Sequence, residues 1–299
     1  MSFSTSIQAV RARDGLALSV ERATPNADDW RRRTPLLCLA GLTRNRRDFY
    51  DLRDHFAGHP EQPRQVVMLD ARGRGASEYA PDASSYTVQQ EADDVLQVCT
   101  ALGIEHAILV GTSRGGILAM IIALVRGGMI RATVLNDIGP EIASAGLLRL
   151  KQQLGDGPVE PPESWPEAEQ RLREALGPQF PAFSDDDWTR AARLTFNEKN
   201  GRPERAYDPR ILDGLAAVSA QSGPIALWAP FQALARAPVM IVRGELSDLL
   251  DTDVAQRAVS LAQQKSGGVL EIVPGQGHAP ALRGPVLDVM QHFFEAHSL

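Results

Sequence analysis

The sequence predicts an α/β fold: a doubly wound, mostly parallel sheet that carries a mainly helical insertion. Three observations predict it. Short apolar runs of strand length alternate with helix-spaced segments as far as residue 140, the pattern of a sheet built from strand–helix–strand units. Between residues 141 and about 232 the alternation stops, and Pro-rich and acidic loops separate helical patches. From Pro238 the strand pattern resumes. The expected organisation is a first part of the core at 1–140, an inserted helical cap at 141–232, and a second part of the core at 233–299.

The elements follow in order. Asp14-Gly15 is a favoured hairpin-turn dipeptide between strand-like residues 7–11 and 16–21. Residues 35–40 form an apolar run without alternation, as expected for a strand covered on both faces. Residues 47–57 read as a helix and 65–70 as another strand. Val88, Ala92, Val95, Val98, Cys99 and Leu102 recur at helical spacing. A strand at 106–110, a helix to about 125 and a strand at 132–136 follow. Within the insertion, helical patches fall at 143–154, 166–176, 186–196 and 210–220, and Asn200-Gly201 marks a turn. Strands from Pro238 and Leu270 and a helical segment at 281–297 complete the chain.

Bulk properties narrow the function. With 43% hydrophobic residues, 299 residues can bury a substantial core. A net charge of −6 without a long basic run argues against nucleic acid or an anionic membrane as partner. The apolar run at 117–125 is cut by Arg126, short of membrane length. No apolar-cored signal opens the chain, so a cytoplasmic location is expected. Cys38 on a strand and Cys99 on a helix read as buried thiols rather than a disulfide framework. The expected partner is a small-molecule substrate, with a homodimer left open. No Cys/His cluster has metal spacing and no glycine-rich dinucleotide loop stands between a strand and a helix, so no cofactor or metal is expected.

The chemistry concentrates in three places. Gly111-Thr112-Ser113-Arg114-Gly115 sits between a predicted strand and a predicted helix. This is the G-x-S-x-G pattern in the setting that exposes a nucleophilic serine on a sharp turn. His278 stands in a glycine-rich loop just past the strand at 270–274, where α/β proteins hold ligands. Asp248 lies in the polar turn past the strand from Pro238 and is the first choice for the acid that orients the imidazole. Glu245, Asp251 and Asp253 are nearby rivals. Asp137, past the strand after the serine helix, is the principal alternative.

The order Ser113, Asp248, His278 resembles that of the α/β-hydrolase superfamily, and nearly the whole chain fits its plan. Residues 36–45 look like its oxyanion strand and loop, and Asp70-Ala71-Arg72-Gly73-Arg74-Gly75-Ala76-Ser77 is similar to its D-x-R-G-x-G-x-S turn. One departure is Ala40-Gly41, where many relatives carry His-Gly. The resemblance implies oxyanion donors at the backbone N–H groups of Leu42 and Arg114, a Ser113 acyl-enzyme and a cap over the pocket. Carboxylic-ester or lactone hydrolysis is the first expectation. Carbon–carbon hydrolysis of a β-diketone or meta-cleavage product is the alternative. A non-hydrolytic lyase or ligand-binding role is a third reading.

Arg44 and the Arg114 side chain are candidates to pair with a substrate carboxylate, against structural ion pairing for Arg114. Trp228 is a tentative substrate contact. It belongs to an aromatic set with Trp165, Phe180, Phe183, Trp188, Phe196 and Phe231. Packing is the preferred reading for any one of them, and the set favours a largely apolar substrate.

Overall fold

The structure is a computed structural model that describes residues 2–26, 28–155, 160–219 and 221–299. Residues 156–159 of the Pro-rich loop and Ala220, at the end of the fourth cap patch, lie outside the described residues. The strands are β1 (Phe3–Arg11), β2 (Ala17–Pro25), β3 (Leu36–Leu39), β4 (Val66–Leu69), β5 (Ala107–Thr112) and β6 (Ile130–Asn136). They continue with β7 (Glu141–Ile142), β8 (Phe196–Lys199), β9 (Arg202–Arg205), β10 (Ile225–Ala226), β11 (Val239–Gly244) and β12 (Gly268–Val273). Eight of these form one sheet in the order β1-β2-β4-β3-β5-β6-β11-β12. Among the described strands of this sheet, only β2 opposes the rest. β1 and β2 pair antiparallel around the Asp14-Gly15 turn, where Gly15 takes a φ of 89°, and β2 also opposes β4.

The remaining pairs are parallel. The C-terminal ends of β4, β3, β5, β6, β11 and β12 therefore share one edge of the sheet. Loops leaving that edge deliver side chains to one place. β3, β4, β5 and β11 are buried at every position, which explains their unbroken apolar runs: helices cover both faces.

The helices are α1 (Tyr50–Ala57), α2 (Val88–Ala101), α3 (Arg114–Arg126), α4 (Ser144–Gly155), α5 (Trp165–Leu176), α6 (Asp185–Thr195), α7 (Trp228–Leu234), α8 (Thr252–Gln263) and α9 (Pro285–Ala296). α2, α3, α7 and α8 bury Val95, Met120, Phe231 and Ala258 in the core on one side of the sheet. α1 and α9 bury Phe56, Met290 and Phe294 on the other. Cys38 and Cys99 are buried free thiols.

The inserted segment contains α4, α5, α6 and the β8–β9 hairpin, whose turn is Asn200-Gly201. Two expectations are revised. The described residues 210–219 of the fourth patch do not form an α-helix: a 3-10 turn spans Pro209–Leu215, capped by Asp208, and Gly214 weakens any helix there. α7 packs against α3, and its Phe231 is fully buried in the core, so this helix joins the core layer.

The insertion is fastened to the loops that leave the functional edge of the sheet. Gly75 donates its N–H to the Ala206 carbonyl and Asp208 donates its own to Gly73. Arg47 donates to the Leu194 and Phe196 carbonyls. Arg283 pairs with Asp187 and Arg190 with Asp51. Phe183 packs on Phe180 and Trp188 with ring centroids 4.8 and 5.2 Å apart, so these cap aromatics form a small core of their own.

Candidate active site

The site begins at the turn between β5 and α3. Ser113 takes φ 51°, ψ −115°, a conformation that costs free energy for a residue with a side chain. Two glycines permit it. A Cβ at Gly115 would overlap the Leu39 carbonyl, and one at Gly111 would meet the backbone of Gly115 and Gly116. The chain can therefore fold back tightly and leave the Ser113 hydroxyl projecting. Ser113 itself is half-buried.

His278 arrives from the loop after β12. Its Nε2 lies 2.9 Å from Ser113 Oγ, and its Nδ1 lies 2.8 Å from Asp137 Oδ2. The imidazole is largely covered and the Asp137 side chain is fully buried. Asp137 follows β6 directly and adopts φ 53°, a region that Asp tolerates better than most residues. Its carboxylate collects three donors. Oδ1 accepts from the Gly244 N–H at 2.8 Å. Oδ2 accepts from the Ser247 hydroxyl at 2.6 Å and faces His278 Nδ1. In the tautomer that carries its proton on Nδ1, the ring donates to Asp137 and offers Nε2 as the acceptor for the Ser113 hydroxyl.

Asp248, the expected acid, is elsewhere. Its carboxylate meets Arg149 of α4 at 2.5 and 2.8 Å and accepts from Gln179 Nε2 at 3.2 Å. The expectation that Asp248 orients His278 is corrected: the structure puts Asp137 on the imidazole and uses Asp248 to tie the insertion to the core. The cause is local. Ser247, one residue earlier, turns inward onto Asp137, so Asp248 faces outward to α4, which packs so closely that a Cβ at Gly146 would strike the Asp248 backbone. Burial pushes the Asp248 carboxyl up, but hydrogen bonding and charge from Arg149 outweigh it and hold the group below the usual carboxylate range.

The loop after β3 lies beside the serine, and a Cβ at Gly41 would come within 3.8 Å of Ser113 Cβ. Leu42 follows Gly41 there. Arg114 opens α3, and the N–H groups of a helix's first turn have no partner within the helix. The side chains of both arginine candidates are engaged in ion pairs. Arg44 meets Asp48 at 2.5 and 2.9 Å and donates to Thr195 of α6. Arg114 makes a forked pair with Glu91 at 2.7 and 3.0 Å. Their expected role as free receptors for a substrate carboxylate is corrected accordingly.

Trp228 donates from Nε1 to Glu141 Oε2 at 3.2 Å and lies under the Arg257 guanidinium, 4.7 Å away. It lines an open cleft of about 860 Å³ with Gln232, Gln256 and Arg257, whose lining includes none of Ser113, Asp137 and His278. Its expected substrate contact is thereby corrected to an external position between α7 and α8.

Sequence reasoning missed three supporting residues. Ser247 and Gly244 hold Asp137. Asn136 donates to the Pro280 carbonyl at 3.0 Å and to Thr112 Oγ1 at 3.2 Å, tying the His278 loop to the sheet. The available signal was the position of Asn136 and Asp137 at the end of the strand next to the serine strand.

A family model described as the alpha/beta hydrolase family matches residues 36–288. The chain belongs to the α/β-hydrolase family. It is a hydrolase, similar to proteins that carry hydrolase names. A 3-hydroxybutyrate-oligomer hydrolase of Cupriavidus necator is 29% identical over 269 residues, 87% of each chain. An α/β hydrolase from Novosphingobium aromaticivorans superimposes with a TM-score of 0.84 at 33% identity, covering 98% of both chains. The E-2-(acetamidomethylene)succinate hydrolase, at 21% identity and a TM-score of 0.77 over 98% of this chain and 100% of its own, shares the fold. No helix among the described residues of this α/β-hydrolase is long and apolar enough to cross a membrane.

Proposed function

We propose that this hydrolase cleaves carboxylic esters through a Ser113 acyl-enzyme, with His278 as general base and Asp137 as the acid of the triad. The observation that carries the reading is the continuous hydrogen-bonded line from Ser113 Oγ to His278 Nε2 and from His278 Nδ1 to Asp137, at 2.9 and 2.8 Å. As Oγ attacks the ester carbonyl, its proton passes to Nε2. Asp137 stabilises the imidazolium that forms. The carbonyl oxygen becomes an oxyanion held by the N–H groups of Leu42 and Arg114, each contributing on the order of 3 kcal/mol to the transition state. The imidazolium then gives its proton to the leaving alkoxide, and an alcohol departs. Water, deprotonated by His278, attacks the acyl-enzyme and releases the acid.

The first substrate class we propose is short oligoesters of a 3-hydroxy acid. Its support is the similarity, over most of both chains, to a 3-hydroxybutyrate-oligomer hydrolase. The test is incubation with the linear dimer and trimer of 3-hydroxybutyrate and with p-nitrophenyl butyrate, followed by chromatography of the products. Release of monomer by the wild type, lost in Ser113→Ala, supports the assignment. Hydrolysis of p-nitrophenyl butyrate with intact oligomers rejects the substrate class alone. Cleavage of no ester by the folded protein rejects the whole reading.

A further inference from the structure

The mechanism leaves a buried charged cluster unused. Glu91, in the first turn of α2, and Arg74, in the glycine-rich turn after β4, each have side chains only 1% exposed. Glu91 Oε1 accepts from Arg74 Nη1 at 2.8 Å. The same carboxylate takes Arg114 Nε on Oε2 at 2.7 Å and Arg114 Nη2 on Oε1 at 3.0 Å. Arg74 Nε continues to the Leu42 carbonyl at 2.8 Å, and its Nη1 to the Arg72 carbonyl at 2.7 Å. Among the described residues, the buried Arg74 Nη2 has no hydrogen-bond partner.

Stability alone does not account for this cluster. Desolvating both ions offsets much of their attraction, so apolar residues of similar size stabilise as well. The unpartnered Nη2 adds a further cost. The two ends of the cluster supply another reason. One end anchors the carbonyl of Leu42 and the other anchors the side chain of Arg114. These two residues carry the N–H groups assigned above to the oxyanion.

We propose that Glu91 is a positioning residue that sets the separation and direction of the two oxyanion donors: through Arg74 it fixes the Leu42 backbone, and through Arg114 it fixes the start of α3. The inference rests on the ester-hydrolase reading. Donors aimed before the reaction begins need no reorganisation as charge develops, which is where such groups gain their effect. Loosening them weakens transition-state binding while leaving ground-state binding nearly unchanged.

The test measures kcat and KM on p-nitrophenyl acetate, together with inhibition by phenylboronic acid, whose serine adduct is tetrahedral and places an oxygen at the oxyanion position. Glu91→Gln keeps the shape and removes the charge. The expected result is a kcat lower by about 10- to 100-fold, KM within about twofold, and boronate affinity weakened in proportion to kcat. Arg114→Met lies at the rim of the cluster, with 18% side-chain exposure, and is the variant most tolerant of folding. It cuts one arm, and about a 3- to 10-fold loss is expected with the same split. Arg114→Met decides the question if Glu91→Gln does not fold. Folded variants with wild-type kcat and wild-type boronate affinity, changed only in Tm, overturn the proposal, as does a rise in KM at constant kcat. A wild type that neither turns over the ester nor binds the boronate overturns the ester-hydrolase reading itself, and the positioning role with it.

Discussion

Replacing Asp137 by Asn should inactivate the enzyme while leaving its shape intact. Three donors converge on the Asp137 carboxylate: the Gly244 N–H at 2.8 Å, the Ser247 hydroxyl at 2.6 Å and His278 Nδ1 at 2.8 Å. An amide has one acceptor oxygen. The Gly244 N–H is a fixed donor, so it holds that oxygen at the Oδ1 position and the NH2 group must stand at Oδ2. Ser247 Oγ already accepts from the Leu249 and Leu250 N–H groups, so its hydroxyl loses this acceptor and gains no bond from the amide. His278 can only accept at Nδ1 by moving its proton to Nε2, and there it no longer takes the Ser113 proton. The expected loss in kcat is roughly 10⁴-fold, or about 5.5 kcal/mol.

Asp248→Asn is the control. It weakens a partly exposed pair with Arg149, whose side chains are 35% and 23% exposed, at a cost of about 0.5–1 kcal/mol in stability. It should hold kcat within about threefold. The assay is steady-state hydrolysis of p-nitrophenyl acetate, with Tm measured on each variant. An Asp137→Asn enzyme that keeps more than about a tenth of wild-type kcat, or an Asp248→Asn enzyme that loses about 10³-fold, refutes the assignment.

Other consequences are equally direct. Gly115→Ala forces a methyl group into the Leu39 carbonyl, and overpacking of this kind costs about 1–3 kcal/mol or more, so thermal denaturation should show a clear drop in Tm or no folded protein. Ser247→Ala removes one donor from a fully buried carboxylate; a loss of about 1–3 kcal/mol in stability and a lower kcat are expected, read by denaturant titration and ester hydrolysis.

Tyr86 donates to Asp208 Oδ2 at 2.6 Å, and burial followed by that bond pushes its phenol up to about 12. The raised folded value means that its stabilising contribution is complete below the ordinary tyrosine range near pH 10 and is lost as the pH climbs towards 12. In an ultraviolet titration Tyr86 should ionise late, and Tyr86→Phe should remove that alkaline loss of stability.

The parts of the site that depend on local chain chemistry were legible in the sequence. Gly111 and Gly115 around Ser113 mark a turn that few other residues could form, and His278 was exposed by the glycine loop after an apolar strand. The acid was not legible in the same way. β6 and β11 are parallel neighbours, with Asn136 opposite Val242, so the loops carrying Asp137 and Asp248 leave the sheet side by side. Which carboxylate turns inward depends on side-chain direction, and here Ser247 occupies the inward position that would otherwise face the imidazole. Likewise, the partner of Asp248 is Arg149, 99 residues earlier on an inserted helix, a pairing no local pattern encodes. Arg44 and Arg114 looked available because Asp48 and Glu91 are ordinary helix residues in sequence and become their partners only in the fold. The core strands were recovered because burial on both faces writes itself into an uninterrupted apolar run. The apolar spacing around the 3-10 turn at Pro209–Leu215 is too short to distinguish it from an α-helix.

The central claim is that Ser113 is an activated nucleophile driven by His278. The most direct measurement is the intact mass of the protein after exposure to a fluorophosphonate, followed by mapping of the labelled peptide. The account predicts a single adduct on the peptide containing Ser113, absent in Ser113→Ala and formed far more slowly in His278→Ala. A folded wild-type protein that remains unlabelled, or that carries its adduct on another residue, contradicts it.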